Sequence, residues 1–265
     1  MSASAASPAG MDASTTGALL DVAGLSKAFE GVQAVGGVSF SVAAGERVAL
    51  IGPNGAGKST CFNLLNGQLA ADAGTITFAG ERVDGLPPAA LAGRGMARTF
   101  QVAATFASMT VRENVQVALL AHGGRAWALH HRAGAAFASE AGRLLAQVGL
   151  ERLADSGCAT LAYGDAKRLE VALALAGSPR LLLMDEPTAG MSPRSRGRLM
   201  QLVSDLAREQ RVAVLFTEHA MDVVFAFADR ILVLDRGTLI ASGTPEAIRA
   251  DPRVQAVYLG EAEAT

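Results

Sequence analysis

Only 2 cysteines occur in the 265 residues, Cys61 and Cys158. They stand far apart, which argues against a disulfide-stapled scaffold and points to a reducing compartment. No apolar run approaches the roughly 18 residues that a membrane-spanning helix needs. The opening stretch, MSASAASPAGMDASTTGA, has neither the basic start nor the apolar core of a secretory signal. It is small and polar, so residues 1–17 are expected to form a disordered tail, with Met11 a candidate alternative start. A basic excess is lacking too. Lys and Arg number 23 against 25 Asp and Glu, giving a formal net charge of -2 and a pI near 6.1. That argues against a protein built around nucleic acid and leaves room only for a local basic groove. Solenoid-period repeats and heptads are absent as well.

What is present is ordinary globular material, 50% hydrophobic and 18% charged, long enough for a large core in one or two domains. From Leu19 onward, LLDVAGLSKAF and GVSFSVAAGERVALIG predict short strands with glycine turns. ERVALI is a nearly continuous apolar run, as a strand buried on both faces requires. CFNLLNGQL predicts a short helix ending near Gly67, and TITFAGERV a strand pair. The middle, residues 102–160, carries helical signals and little strand. Thr110 and Glu113 form a capping box before VQVALLA. Ser139 is placed to cap EAGRLLAQVGL, with Gly149 as its stop. HGGRAWALHHRAGAAF between them is irregular. After LAYGD the α/β rhythm returns. Helix KRLEVALALA, strand RLLLMDE, helix SRGRLMQLVSDLARE, strand RVAVLFTEH and helix MDVVFAFA follow in order, then a hairpin turned at Arg236-Gly237. The alternation predicts a doubly wound, mostly parallel sheet interrupted by a helical insert.

Chemistry enters at GPNGAGKS, which matches G-x-x-x-x-G-K-[ST] through Gly52, Gly57, Lys58 and Ser59. It follows a buried strand and opens a helix, the context in which that spacing cradles phosphate. Glycines let backbone N–H groups wrap an anion, and the helix N-terminus adds partial positive charge. Lys58 is placed to reach the β- and γ-phosphates of a nucleotide and Ser59 to coordinate Mg²⁺. RLLLMDEP delivers Asp185 to a strand end, where a carboxylate holds Mg²⁺. Glu186 follows, placed to orient or deprotonate an attacking water. His130-His131 lack accompanying carboxylates or thiols and suggest no metal site. Trp127 reads as packing or as a contact to a membrane protein, and the methionines as core filler.

The order GPNGAGKST, RTFQ, LAYGD, LLLMDEPTAGM and EH resembles the ATP-binding cassette (ABC) ATPases over nearly the whole chain from Leu19. The resemblance implies an α/β P-loop NTPase fold. It would comprise a RecA-like core, an antiparallel β subdomain and an inserted α-helical subdomain at roughly 102–160, all within one domain, 18–265. It implies ATP and Mg²⁺ as ligands. Gly52, Pro53, Asn54, Gly55, Ala56, Gly57, Lys58, Ser59 and Thr60 would cradle the phosphates, and Phe29 would stack on adenine. Gln101 would stand near Mg²⁺, with Ser59 and Asp185, at the joint to the helical insert. His219 would contact the γ-phosphate beside Glu186 and Lys58; a histidine can donate to phosphate in either protonation state. Leu161, Ala162, Tyr163, Gly164 and Asp165 occupy the signature position, which caps the γ-phosphate held by a partner cassette, with Lys167 and Arg168 adding nearby positive charge. The chain departs from the family pattern at three places. Ala162 replaces a serine, Tyr163 replaces a glycine, and Ser192 replaces an aspartate in TAGMSP. A lost hydroxyl contact to a charged group costs on the order of 1.5–3 kcal/mol, so this signature would serve the weaker of two composite sites.

Within the family, GLPPAALAGRGMARTFQ, LAYGDAKRLE, DEPTAGMSP and GTPEAIRADPRVQAVYLG resemble the ATPases of bacterial uptake systems for branched-chain and other hydrophobic amino acids. Urea and amide importers, and an ATPase of lipopolysaccharide export, share the shape. The resemblance implies a peripheral protein on the cytoplasmic face of the inner membrane. Its partners would be two permease subunits, a second ABC ATPase and, indirectly, a periplasmic solute-binding protein, with no nucleic acid. Two other readings stay open. A soluble, non-transport ABC ATPase usually carries two cassettes or a long coiled coil, and neither is found. A P-loop GTPase would need Asn-Lys-x-Asp, which is absent, and a small-molecule kinase would not need LAYGD or His219.

Overall fold

The computed structural model describes residues 17–99, 105–122 and 137–262. Strands β1 (Leu20–Phe29) and β2 (Val32–Val42) form a hairpin through Glu30-Gly31, both with positive φ. β3 (Arg47–Ile51) follows and is almost entirely buried, as its apolar run requires. Helix α1 (Lys58–Leu65) leads to β4 (Ala73–Phe78) and β5 (Glu81–Arg82). One antiparallel sheet has the order β2-β1-β4-β5. This is the expected β subdomain.

The second sheet carries the rest. Its strands include β6 (Met96–Thr99), β7 (Leu181–Asp185), β8 (Ala213–Thr217), β9 (Arg230–Asp235) and β10 (Thr238–Gly243). The order is β10-β9-β3-β8-β7-β6, parallel except for β10 at one edge. β10 is tied back by Arg236 and Gly237, both left-handed (φ 45 and 78), the twist a two-residue hairpin favours. One segment runs against the sequence reading. GLPPAALAGRGMART, which carried no element there, forms α2 (Pro88–Gly93) and then β6.

The helical insert holds α3 (Val111–His122) and α4 (Ala138–Gln147), which pack against α5 (Tyr163–Leu175), just beyond the insert's end. Val111, Val115, Ala141, Leu145, Leu150 and Leu169 are buried together where these helices meet. The capping box forms in both directions: the Thr110 N–H donates to Glu113 Oε2 at 2.7 Å, and the Glu113 N–H to Thr110 Oγ1 at 3.2 Å. Ser139 does not cap α4. It lies inside the first turn, and Phe137 is the capping residue, in a left-handed conformation with no side-chain bond. Gly149 ends the helix as expected, at φ 69. Cys158 N–H to Met109 O (3.0 Å) and Arg112 N–H to Ala154 O (2.8 Å) bring the entry and exit of the insert side by side. Helices α6 (Pro193–Gln210), α7 (Met221–Phe227), α8 (Pro245–Ala250) and α9 (Pro252–Ala262) complete the fold. Both cysteines are buried and free, and burial pushes the Cys61 thiol up to about 12. Among the described residues no helix is long and apolar enough to cross a membrane.

The start of β3 is held by charge. Arg47 grips Asp229 through its guanidinium, and its backbone N–H donates to Asp229 Oδ2 at 2.9 Å. Burial pushes the Asp229 carboxyl up, but the hydrogen bonds and charge of Arg47 outweigh it and leave the group below the usual carboxylate range. A lowered folded-state pKa adds stability above the ordinary carboxylate pKa and loses it as pH falls. Asp229→Asn is therefore expected to lower the urea midpoint at pH 7 and to lose less than wild type on acidification below about pH 4. A wild-type-to-variant gap equal at both pH values would contradict this.

Candidate functional site

β3 ends in a loop that only glycine can build at two points. Gly52 (φ 155) would place a Cβ 2.1 Å from the Leu234 carbonyl oxygen, and Gly57 (φ 100) one 2.3 Å from that of Ala34. The loop is wedged between β2 and the start of the β9–β10 turn, and Gly237 N–H donates to Ala56 O at 3.0 Å. Gly57 caps α1 with no side-chain bond, leaving the first turn's N–H groups without a side-chain acceptor and suited to an anion. Asn54 and Gly55 are exposed at the loop's tip, Pro53 is half-buried, and Ala56 is buried beneath. Lys58 is buried, its Nζ donating to Gly52 O (2.6 Å) and Pro53 O (2.9 Å), so the ammonium lies folded over the cradle. Ser59 is exposed and Thr60 half-buried on the same first turn.

The acids arrive by strand register. Across β3, β8 and β7, Leu50 pairs with Thr217, and Thr217 with Asp185. Thr217 Oγ1 donates to Asp185 Oδ1 at 2.7 Å and accepts the Glu186 N–H at 3.0 Å. Glu186 has φ 47, an uncommon conformation for a residue with a side chain. The kink takes it off the strand and lets Oε1 meet His219 Nε2 at 2.9 Å. Both side chains keep solvent contact, at 28% and 50% exposure. Buried Glu218 braces this end. Its Oε1 accepts from Thr188 N–H (2.9 Å) and Oγ1 (2.5 Å), and its Oε2 from the His219 N–H (3.2 Å). On the other flank Arg98 of β6 donates to Asp185 Oδ2 at 3.0 Å. The cradle, Asp185, Glu186 and His219 thus lie along the ends of neighbouring strands. Thr217, Glu218, Thr188 and Arg98 were not anticipated from sequence. Thr217 and Glu218 stood in the quoted FTEH, where a polar pair ending an apolar strand was the available signal.

The LAYGD turn stands elsewhere, at the start of α5. Leu161 precedes it, and Ala162 caps the helix with extended backbone and no side-chain bond, its carbonyl accepting from Asp165 and Ala166. Gly164 sits in the first turn. Tyr163 is half exposed and donates through its hydroxyl to Ala189 O at 2.9 Å, fastening this turn to the loop after Glu186. The expected positive charge around the turn is largely spent. Lys167 is buried 3.1 Å from Glu170, and Arg168 lies 3.5 Å from Asp165. Burial pushes the Glu170 carboxyl up despite Lys167. Ser192 caps α6, accepting the Ser195 N–H at 3.4 Å. Phe29 is exposed at the end of β1, with Lys27 Nζ 5.7 Å from its ring centre. Gln101, Trp127, His130 and His131 lie outside the described residues.

A glycine cradle at the head of a helix, a lysine over it and an acid pair two strands away are the working parts of a P-loop nucleoside-triphosphate hydrolase. The comparisons narrow the class. The family described as ABC transporter matches residues 35–189, and that described as branched-chain amino acid ATP-binding cassette transporter matches residues 238–264. The chain belongs to the ABC transporter family and is its ATP-binding, ATP-hydrolysing cassette. It is 40% identical over 251 residues to the high-affinity branched-chain amino acid transport ATP-binding protein BraF of Pseudomonas aeruginosa. LivG of Escherichia coli, of the same description, is also 40% identical over 251 residues; each match covers 92% of this chain and 98% of the relative. The lipopolysaccharide export ATP-binding protein LptB of E. coli is 35% identical over 244 residues, 92% of this chain and 98% of that one. An ATP-binding cassette of an ABC transporter, solved in its ADP conformation, superposes with a TM-score of 0.82 at 31% identity, over 92% of this chain and 100% of that chain.

Thr217→Val keeps the shape but removes the hydroxyl that holds Asp185 and the Glu186 N–H. Losing such bonds costs about 1–3 kcal/mol, so ATP turnover is expected to fall roughly five- to a hundredfold in steady-state assays while the fold is retained. Turnover equal to wild type would show that the hydroxyl does not order the acids.

Proposed function

We propose that the chain energises a bacterial importer of branched-chain or other hydrophobic amino acids by hydrolysing ATP. The observation that carries the reading is the pairing of Glu186 with His219 at 2.9 Å, at the strand ends beside the Gly52–Gly57 cradle. Gly52–Thr60 receive the phosphates, with Lys58 leaving its loop carbonyls to meet the β- and γ-oxygens. Glu186 orients and deprotonates the attacking water, and His219 donates to the γ-phosphate while fixing the Glu186 carboxylate. Phe29, exposed at the end of β1, would offer its ring to adenine.

Ser59 and Asp185 would hold Mg²⁺ together with Gln101. The donors are hard oxygens, the set that suits this ion. Bound there, Mg²⁺ would neutralise charge on the β- and γ-phosphates. The Leu161–Asp165 turn, with its uncapped helix N-terminus, would close over the nucleotide of a second cassette.

The permease reading is supported by an open, largely apolar groove of about 510 Å³ between α2, β6, α3 and α5, lined by Leu91, Met96, Phe106, Val117 and Leu173. Together with the helical insert it would grip cytoplasmic helices of two permease subunits, holding the chain to the cytoplasmic face of the inner membrane. A periplasmic solute-binding protein would set substrate choice. The substrate class rests on the relatives' descriptions and on the match over residues 238–264.

The test is uptake of labelled leucine, valine, phenylalanine and urea in cells lacking this chain, rescued by wild type or by Lys58→Met. Loss of leucine and valine uptake, restored only by wild type, is expected. Loss confined to urea would reassign the substrate, and unchanged uptake of all four would contradict the amino-acid reading.

A further inference from the structure

Arg98 is engaged in a way that the cradle and the acid pair do not explain. Its Nη1 donates to Asn63 Oδ1 of α1 at 2.7 Å and to Gln68 Oε1 at 2.9 Å, and its Nη2 donates to Asp185 Oδ2 at 3.0 Å. It therefore straps the helix behind the cradle to the end of β7. The ion pair is well shielded, with side chains 14% and 12% exposed. Thr217 takes the other carboxylate oxygen, so both oxygens of Asp185 are occupied from within the chain. Yet Arg98 Nε is buried with no hydrogen-bond partner among the described residues. A guanidinium left one donor short carries a desolvation cost that a fully satisfied strut would not. Arg98 also lines the open groove described above, so the side chain has space to leave Asp185.

We propose that Arg98 is a positioning residue that competes with the divalent cation for Asp185, holding the carboxylate in a resting arrangement until metal-bound nucleotide displaces the guanidinium. The inference rests on the reading of Asp185 as a metal-holding carboxylate. The physical argument is one of charge. A dication drawn to Asp185 enters beside a fixed positive charge in a partly dry site, where repulsion is stronger than in water. Either the guanidinium gives up Oδ2 or the cation binds more weakly. Because Arg98 stands in both the metal site and the groove, whatever fills the groove acts on the same side chain.

The experiment titrates Mg²⁺ against a fluorescent ATP analogue bound to the full chain and follows thermal midpoints in EDTA. The chains compared are wild type, Arg98→Met, Arg98→Gln, Arg98→Lys and Asp185→Asn. Arg98→Met and Arg98→Gln are expected to lower the half-saturating Mg²⁺ concentration about three- to tenfold, since they remove a unit charge near the ion. They are also expected to lower the thermal midpoint in EDTA by more than in saturating Mg²⁺-nucleotide. Arg98→Lys, which keeps the charge, stays near wild type in Mg²⁺ requirement and serves as the comparison if the neutral variants fold poorly. A Mg²⁺ requirement unchanged or raised in the neutral variants, with Asp185→Asn still abolishing the Mg²⁺ effect, overturns this proposal alone. A Mg²⁺ effect that survives in Asp185→Asn overturns the metal reading of Asp185 and this proposal with it.

Discussion

Three adjacent strands in one register decide where the chemistry stands. Leu50, Thr217 and Asp185 lie in a row across β3, β8 and β7, and the hydroxyl in the middle reaches both the Asp185 carboxylate and the Glu186 N–H. A parallel sheet buried on both faces tolerates no slip, because every apolar side chain would change environment. The ladder therefore fixes the distance between the phosphate cradle and the acids to within hydrogen-bond tolerance. The uncommon backbone at Glu186 depends on the same row, since Thr217 supplies both its backbone and side-chain oxygens to the Glu186 N–H. Strain is placed where a carboxylate must leave the strand and face solvent, and the register holds it there.

The loops around this row are tied to one another rather than left free. Glu218 connects Thr188 to the His219 backbone, Tyr163 connects the α5 turn to Ala189, and Arg98 connects α1 to Asp185. The helical insert enters and leaves through paired backbone bonds at Met109, Arg112, Ala154 and Cys158, a narrow base for α3 and α4.

Much of this was legible in the sequence because each signal had a local cause. ERVALI and RLLLMDE read as buried strands since both faces of a parallel sheet exclude water, and Thr110 with Glu113 read as a cap because the two residues satisfy each other. The Arg236-Gly237 turn was visible for the same reason. The misses are those where tertiary structure decides. β6 is only four residues long, too short for a periodicity, and becomes a strand by pairing with β7. Ser139 looked like a cap, but packing begins the helix earlier, at Ala138. Lys167 read as positive charge near the signature turn, yet helix phase turns it inward onto Glu170, three residues on. Arg98 is silent in sequence, because its partners at 63, 68 and 185 come together only in the fold.

For hydrolysis to follow the proposed course, Glu186 must activate water inside a closing pair of cassettes. The most direct measurement is single-turnover ATP hydrolysis by Glu186→Gln, with sedimentation in ATP-Mg²⁺ in the presence of the partner cassette. Retained ATP binding, hydrolysis slowed by at least about a hundredfold, and an ATP-dependent dimer that persists are expected. Hydrolysis at the wild-type rate, or a chain that stays monomeric under saturating ATP-Mg²⁺, would contradict this role for Glu186.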